Sequence, residues 1–163
     1  MTIILKNKET LVCDDFNFKC CIGRKGLTKS KCEGDKKTPR GTFTLGPVFY
    51  RKDKFKNLET RLKKVPILKK MGWCDDPIHK KYNKLIQISK KFSHEKLYRH
   101  DYKYDLLIPI NYNSKNIKPN LGSAIFIHLT KNFAPTLGCI AIKKTDFLIL
   151  IKLINNKTKI KIL

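Results

Sequence analysis

Residues 125–142 read IFIHLTKNFAPTLGCIAI (Ile125–Ile142). Two apolar runs flank a polar loop. "AIFIHL" (Ala124–Leu129) is rich in β-branched and aromatic residues and reads as a buried strand. "GCIAI" (Gly138–Ile142) reads as a second, shorter one. His128 closes the first run and Cys139 opens the second, with Pro135 and Gly138 as loop chemistry between them. Such a loop can turn a His and a Cys toward each other. A thiol attacks as thiolate, and a free Cys has a pKa of about 8.5. A nearby imidazole can take that proton and later return it to a leaving group. Gly138 lets the backbone turn tightly, so main-chain N–H groups can approach a bound carbonyl as an oxyanion hole. The competing reading is a small buried thiol beside a satisfied core histidine, and spacing alone does not separate the two.

Outward from this stretch the chain continues as β. "TIILKN", "TLVCDDF" and "FKCCIG" are short apolar or alternating runs broken by polar pairs. Glu33-Gly34-Asp35, Pro39 and Gly41 are turn chemistry, followed by the strand "TFTLGPVFY" (Thr42–Tyr50). Lys52 to Lys70 is basic and weakly periodic, and reads as a long loop with a short helix. Asp75-Asp76-Pro77 is a turn or a helix start. "YDLLIPINYN" (Tyr104–Asn113) is a buried strand. "KKTDFLILIKLI" is one helical run, with Thr145-Asp146 as the expected N-cap. "KTKIKIL" alternates and is the expected last strand. The predicted fold is mostly β with long loops and one C-terminal helix, as a single domain over residues 1–163.

Net charge is +23, from 36 Lys+Arg against 13 Asp+Glu. Such a field favours anionic partners. However, the cations are mostly Lys, are scattered along the chain, and accompany abundant Ile and Asn, a joint excess that an AT-rich genome also produces. A nucleic-acid-binding module needs clustered Lys/Arg with exposed aromatics, and no such motif is present. No apolar run approaches a membrane span, and no secretory leader is visible after Met1. The cysteines at 13, 20, 21, 32, 74 and 139 contain no CxxC pair, so no structural zinc site is expected. Cys20 and Cys21 are adjacent and should face opposite sides of a strand. Mostly free thiols are expected, one of them special.

"EGDKKTPRGTF" followed far downstream by "IFIHLTKNFAPTLGCIAI" resembles the L,D-transpeptidase catalytic domain, the YkuD-like fold. "GWCDDP", "YN", "SHEKLY", "YDLLIPINYN" and "GSAIFIHL" resemble, in order, its compact stand-alone proteobacterial branch. The resemblance covers roughly Lys19 to Leu163. It implies a β-sandwich-like catalytic domain acting on peptidoglycan stem peptides. Cys139 would be the nucleophile and His128 the general base. The carbonyl of Leu129 would orient His128, and the N–H groups of Gly138 and Cys139 would hold the oxyanion. A thioester acyl-enzyme and a crosslink to a second stem peptide follow, without metal or organic cofactor. Hydrolysis of the same acyl-enzyme is the nearest alternative. The chain departs from the family's usual Ser-His-Gly-Cys, with Thr136-Leu137-Gly138-Cys139 in its place and Ala141 where an Arg is usual. The His-to-Cys separation is also shorter. These departures bear on how donor carboxylates are held, and leave open whether the link is 3-3 or involves the first-residue alanine.

Substrate contacts are expected from Thr136, from His94 in "SHEKLY", and from Trp73 with Asp75 and Asp76 as a wall for a stem-peptide ammonium. The alternatives are a loop His and a core Trp beside a turn. Arg40 can pair with a carboxylate or sit in a solvated turn. Tyr104 and Asp105 precede a buried strand, where Asp105 either caps a loop or orients the His94 region. Cys74 belongs to the matched "GWCDD" run without an assigned role. A monomer is expected, in the periplasm or cell envelope where the substrate lies.

Overall fold

The computed structural model describes Met1–Leu163. The strands are β1 Thr2–Leu5, β2 Thr10–Cys13, β3 Phe16–Cys21, β4 Leu27–Thr28, β5 Thr38–Pro39, β6 Gly41–Thr44, β7 Val48–Tyr50 and β8 Lys64–Pro66. They continue as β9 Met71–Cys74, β10 Leu85–Gln87, β11 His94–Lys96, β12 Leu106–Pro109, β13 Phe126–Leu129 and β14 Ile140–Ile142. Helix α1 (Lys144–Leu153) and strand β15 (Lys159–Ile162) end the chain. Ten strands form one large curled sheet in the order β6-β15-β1-β2-β3-β14-β13-β12-β7-β8. A three-stranded sheet β10-β9-β11 and the short pair β4-β5 complete the architecture. The chain is mostly β with one helix near the C-terminus, as its sequence pattern predicts.

Alternation in the central strands decides what each face carries. Leu106 and Ile108 of β12, Ile127 and Leu129 of β13, and Ile140 and Ile142 of β14 enter the main core. Phe147, Leu150 and Ile151 of α1 pack into the same core, at the i, i+3, i+4 spacing of one helix face. Leu107, Phe126 and Cys139 join a smaller core on the opposite face, with Trp73 of β9 packed against it. Cys20 lies in the main core, whereas Cys21 Sγ reaches the Ala134 carbonyl at 3.2 Å on the other side, as adjacent strand residues should.

Three local expectations are corrected. The helix begins at Lys144, and Lys143 is its N-cap without a side-chain cap bond. The Phe147 N–H bonds to the Lys143 carbonyl at 2.9 Å, so Thr145 and Asp146 already lie in the first turn, where an acidic residue complements the helix dipole. Residues 52–70 hold turns and β8 but no helix; Leu58 and Leu62 reach the main core and Ile67 the smaller one from this irregular segment. "TFTLGPVFY" is interrupted at Leu45-Gly46-Pro47 between β6 and β7, because Pro lacks the N–H a continuous ladder requires.

Candidate active site

Strands β13 and β14 pair in parallel, with Ile127 opposite Ile140 and His128 opposite Ala141. Cys139 immediately precedes β14 and therefore faces the same side as Phe126 and His128. Both side chains line a cavity of about 1050 Å³. The register, not the sequence distance, brings them to one wall.

His128 is buried, and its Nδ1–H donates to the Leu129 carbonyl at 2.9 Å. That bond fixes the tautomer with Nε2 unprotonated and able to accept a proton. The Tyr104 ring meets the imidazole edge-on, with centroids 5.1 Å apart. Burial, with the charges of Lys103 and Arg99, lowers the His128 pKa to about 4, and the Leu129 bond offsets only part of this. Cys139 is 7% exposed. Its Sγ donates to the Ala124 carbonyl at 3.2 Å and accepts from the Phe126 N–H at 3.3 Å. Burial and the Glu95 charge push its thiol well above the ordinary range. The resting pair is therefore neutral thiol and neutral imidazole, and the thiol points at Ala124 rather than being hydrogen-bonded to His128.

A depressed His128 has a consequence for stability. Unfolded, the ring binds a proton below its ordinary value of 6.5; folded, it resists until about 4. The unfolded state thus gains protons first as pH falls, and stability drops across that window. At 1.36 kcal/mol per pKa unit the loss is about 3 kcal/mol. Acid titration of the unfolding free energy should show this slope in wild type and a flatter one in His128→Asn. Equal slopes would remove His128 as its source.

The loop before the nucleophile is held from several directions. Thr136 Oγ1 accepts from the Gly138 N–H at 3.1 Å and donates to the Cys139 carbonyl at 2.6 Å. Thr38 Oγ1 donates to the Gly138 carbonyl at 2.8 Å and accepts from the Gly23 N–H at 2.9 Å. This places Thr38, in the upstream "TPRG" run, directly beneath the nucleophile loop. The Gly138 N–H is thus already engaged, while the Cys139 N–H has no acceptor in the fold. Thr38 is fully buried, so Thr38→Val should leave two backbone groups unsatisfied at about 1–3 kcal/mol each. Denaturant unfolding measures this, and a loss below about 1 kcal/mol would mean that water replaces the hydroxyl.

The remaining expected residues divide. His94 lines the cavity from β11, with Nδ1 3.0 Å from the Phe92 carbonyl. Tyr104, Asp75 and Thr136 also line it, and Asp75 Oδ1 is sealed from solvent without a hydrogen-bond partner. Trp73 is not on the cavity wall. Its Nε1–H donates to Asn83 Oδ1 at 2.9 Å, and its ring packs edge-on against Phe126 and Phe49. Its place in the wall is corrected to one in the core. Arg40 is likewise off the wall: it is exposed, and its N–H bonds to the Thr28 carbonyl at 2.7 Å. Asp105 is buried against Lys54 at 2.7 Å and Arg51 at 3.8 Å, an anchoring role away from His94. Asp76 Oδ1 accepts from the Ile78 N–H in a turn, and buried Cys74 lies 3.7 Å from His79 Nδ1.

Glu95, Glu33 and Lys31 line the cavity without having been singled out. Glu95 accepts from the Tyr104 hydroxyl at 2.5 Å. Glu33 is bonded to Tyr82 and to Ser123. Lys31 is paired with Asp35 at 2.5 Å. Single acidic or basic residues carry no sequence signal in so charged a chain; only the "SHEKLY" run drew attention to the neighbourhood of Glu95.

A curled β-sheet with a thiol and an imidazole on one cavity wall has the layout of an enzyme's catalytic domain. The family model of the YkuD L,D-transpeptidase catalytic domain matches residues 2–162, and the chain belongs to that family. The family acts on peptidoglycan peptides and is generally associated with the cell wall. Neither a curated protein nor a solved structure matches the chain. No helix is long and apolar enough to cross a membrane.

Proposed function

We propose that the chain is a peptidoglycan L,D-transpeptidase that joins stem peptides through a thioester on Cys139. The observation that carries this reading is the β13–β14 register, with the Leu129 carbonyl holding His128 in the tautomer a general base needs. In the first half-reaction His128 Nε2 takes the thiol proton as sulfur attacks the carbonyl of the L,D-peptide bond. A C–S bond forms, and the oxyanion is met by the free N–H of Cys139. The C–N bond then breaks, and the terminal D-amino acid leaves with the proton from His128. In the second half-reaction an amine of another stem attacks the thioester and gives a proton to His128 Nε2. A C–N bond forms, the C–S bond breaks, and the departing sulfur takes that proton back from His128. Because the resting pair is neutral, proton transfer accompanies attack instead of preceding it. Thr136 serves this reading as the brace of the nucleophile loop, and His94, Asp75 and Tyr104 as cavity-wall contacts. The site acts from a single domain and a monomer, in the periplasm or cell envelope.

Hydrolysis uses the same thioester with water in place of the amine. Leu137, on the cavity wall, is exposed, so the cavity is reached from solvent by either nucleophile. The test is mass spectrometry of the protein incubated with defined tetrapeptide muropeptides. Crosslinked dimers establish transpeptidation, and their fragmentation identifies the joined residues. Trimmed monomers alone replace it with hydrolysis, and unchanged substrate removes both.

A further inference from the structure

A second cavity, of about 550 Å³, lies beyond a ridge made by Arg24 and Pro135, which line both cavities. The ridge is tied to the nucleophile loop. The Arg24 N–H bonds to the Thr136 carbonyl, and the Thr136 N–H to the Ile22 carbonyl, each at 2.9 Å. Lys8, Lys19 and Lys25 join Arg24 on the walls of the second cavity, with Glu9 as the one carboxylate. None of these four cations takes part in an ion pair. Lys19 Nζ is held over the Phe133 ring, 4.9 Å from its centroid, at the rim of this cavity.

The main cavity differs in charge from place to place. Glu33, Asp75 and Glu95 are near enough for the first two to act on the Glu95 carboxyl. Lys36, whose carbonyl accepts from the Lys25 N–H, and Lys131 stand with Arg24 near the ridge. An amine attacks only as the free base. Carboxylates favour its ammonium form, whereas cations disfavour it. The cations beside the carboxylates are already engaged, Arg99 with Glu95 and Asp101, and Lys31 with Asp35. Arg24, Lys36 and Lys131, by contrast, form no ion pair. The basic ridge therefore both favours the free amine and leaves cations available to the carboxylates of the incoming stem.

We propose that the cavity of Lys8, Lys19 and Lys25 is a carboxylate-binding subsite for the acceptor stem peptide, which reaches Cys139 across the Arg24–Pro135 ridge. This rests on the transpeptidase reading. Lys19 and Lys25 are exposed, so replacing them leaves the core untouched. Two full-length variants test the assignment: Lys19→Glu/Lys25→Glu and Lys19→Gln/Lys25→Gln. Acyl-enzyme formation from donor tetrapeptide alone is followed by intact mass, and crosslinking is followed against acceptor concentration.

Charge reversal should raise the acceptor KM by about tenfold and neutralisation by about threefold, with the donor KM unmoved. Equal shifts in both KM values, or none, overturn the subsite. If wild type forms no acyl-enzyme, the transpeptidase reading itself falls. The subsite is then judged by calorimetric titration of a stem tripeptide into Cys139→Ala at low salt. A Kd weakened about tenfold by the Glu pair supports the carboxylate site, and an unchanged Kd removes it.

Discussion

Cys139→Ala should lower thioester formation by at least about 10⁴-fold, the scale on which loss of a covalent nucleophile registers. Nothing else on the cavity wall can take its place. The remaining thiols have other surroundings: Cys13 and Cys20 are in the main core, Cys21 meets Ala134 and Thr130, Cys32 is exposed off the cavity wall, and Cys74 lies beside His79. Intact mass spectrometry with a tetrapeptide donor is the direct measurement. Wild type should gain the acyl mass on the peptide containing Cys139, and the variant should gain none. The change also removes the thiol's bonds to Ala124 and Phe126, but leaves no buried charge, so the variant should remain folded by circular dichroism. Acyl mass retained in the variant would move the nucleophile elsewhere.

Gly138→Ala is expected to damage both stability and rate. Gly138 has φ +143°, where L-residues are strained, and an added Cβ would stand 2.9 Å from the Lys37 carbonyl oxygen. The obstacle is backbone, held by its own loop, and cannot swing aside as a side-chain tip can. Strain of this kind costs about 3 kcal/mol, which at this chain length lowers Tm by about 10 °C. Relief requires moving Gly138, and with it the Thr38 and Thr136 bonds that set the position of Cys139. A displacement of about 1 Å costs roughly 10²-fold in rate. Thermal unfolding and the acylation rate read the two effects separately. A variant that melts and acylates like wild type would show that the loop relaxes freely, and that its bonds do not govern the nucleophile.

The sequence by itself determined the class of fold. β-branched runs of strand length, turn residues between them and one stretch of helical spacing give a mostly β chain with a single C-terminal helix. It offered Cys139 and His128 as candidates at the ends of two strand-like runs, but their spacing left a buried thiol beside a core histidine open, and their catalytic reading came from the family resemblance. The Leu129 carbonyl was not legible in the sequence: the resemblance implied it, and only the folded chain shows it accepting from His128 Nδ1. The helix start escaped because Lys143 caps with backbone alone, and side-chain signals at Thr145 and Asp146 pointed a few residues too far, inside the first turn. Trp73 was read toward substrate from its neighbours Asp75 and Asp76, yet alternation along β9 sends the indole into the core while Asp75 lies just past the strand's end. Tertiary structure alone decided which distant groups meet. Thr38 under Gly138, Glu95 on Tyr104, and a basic cavity sharing a ridge with the nucleophile's own depend on sheet order and register. Both arise from long-range pairing, for which local sequence carries periodicity but no address.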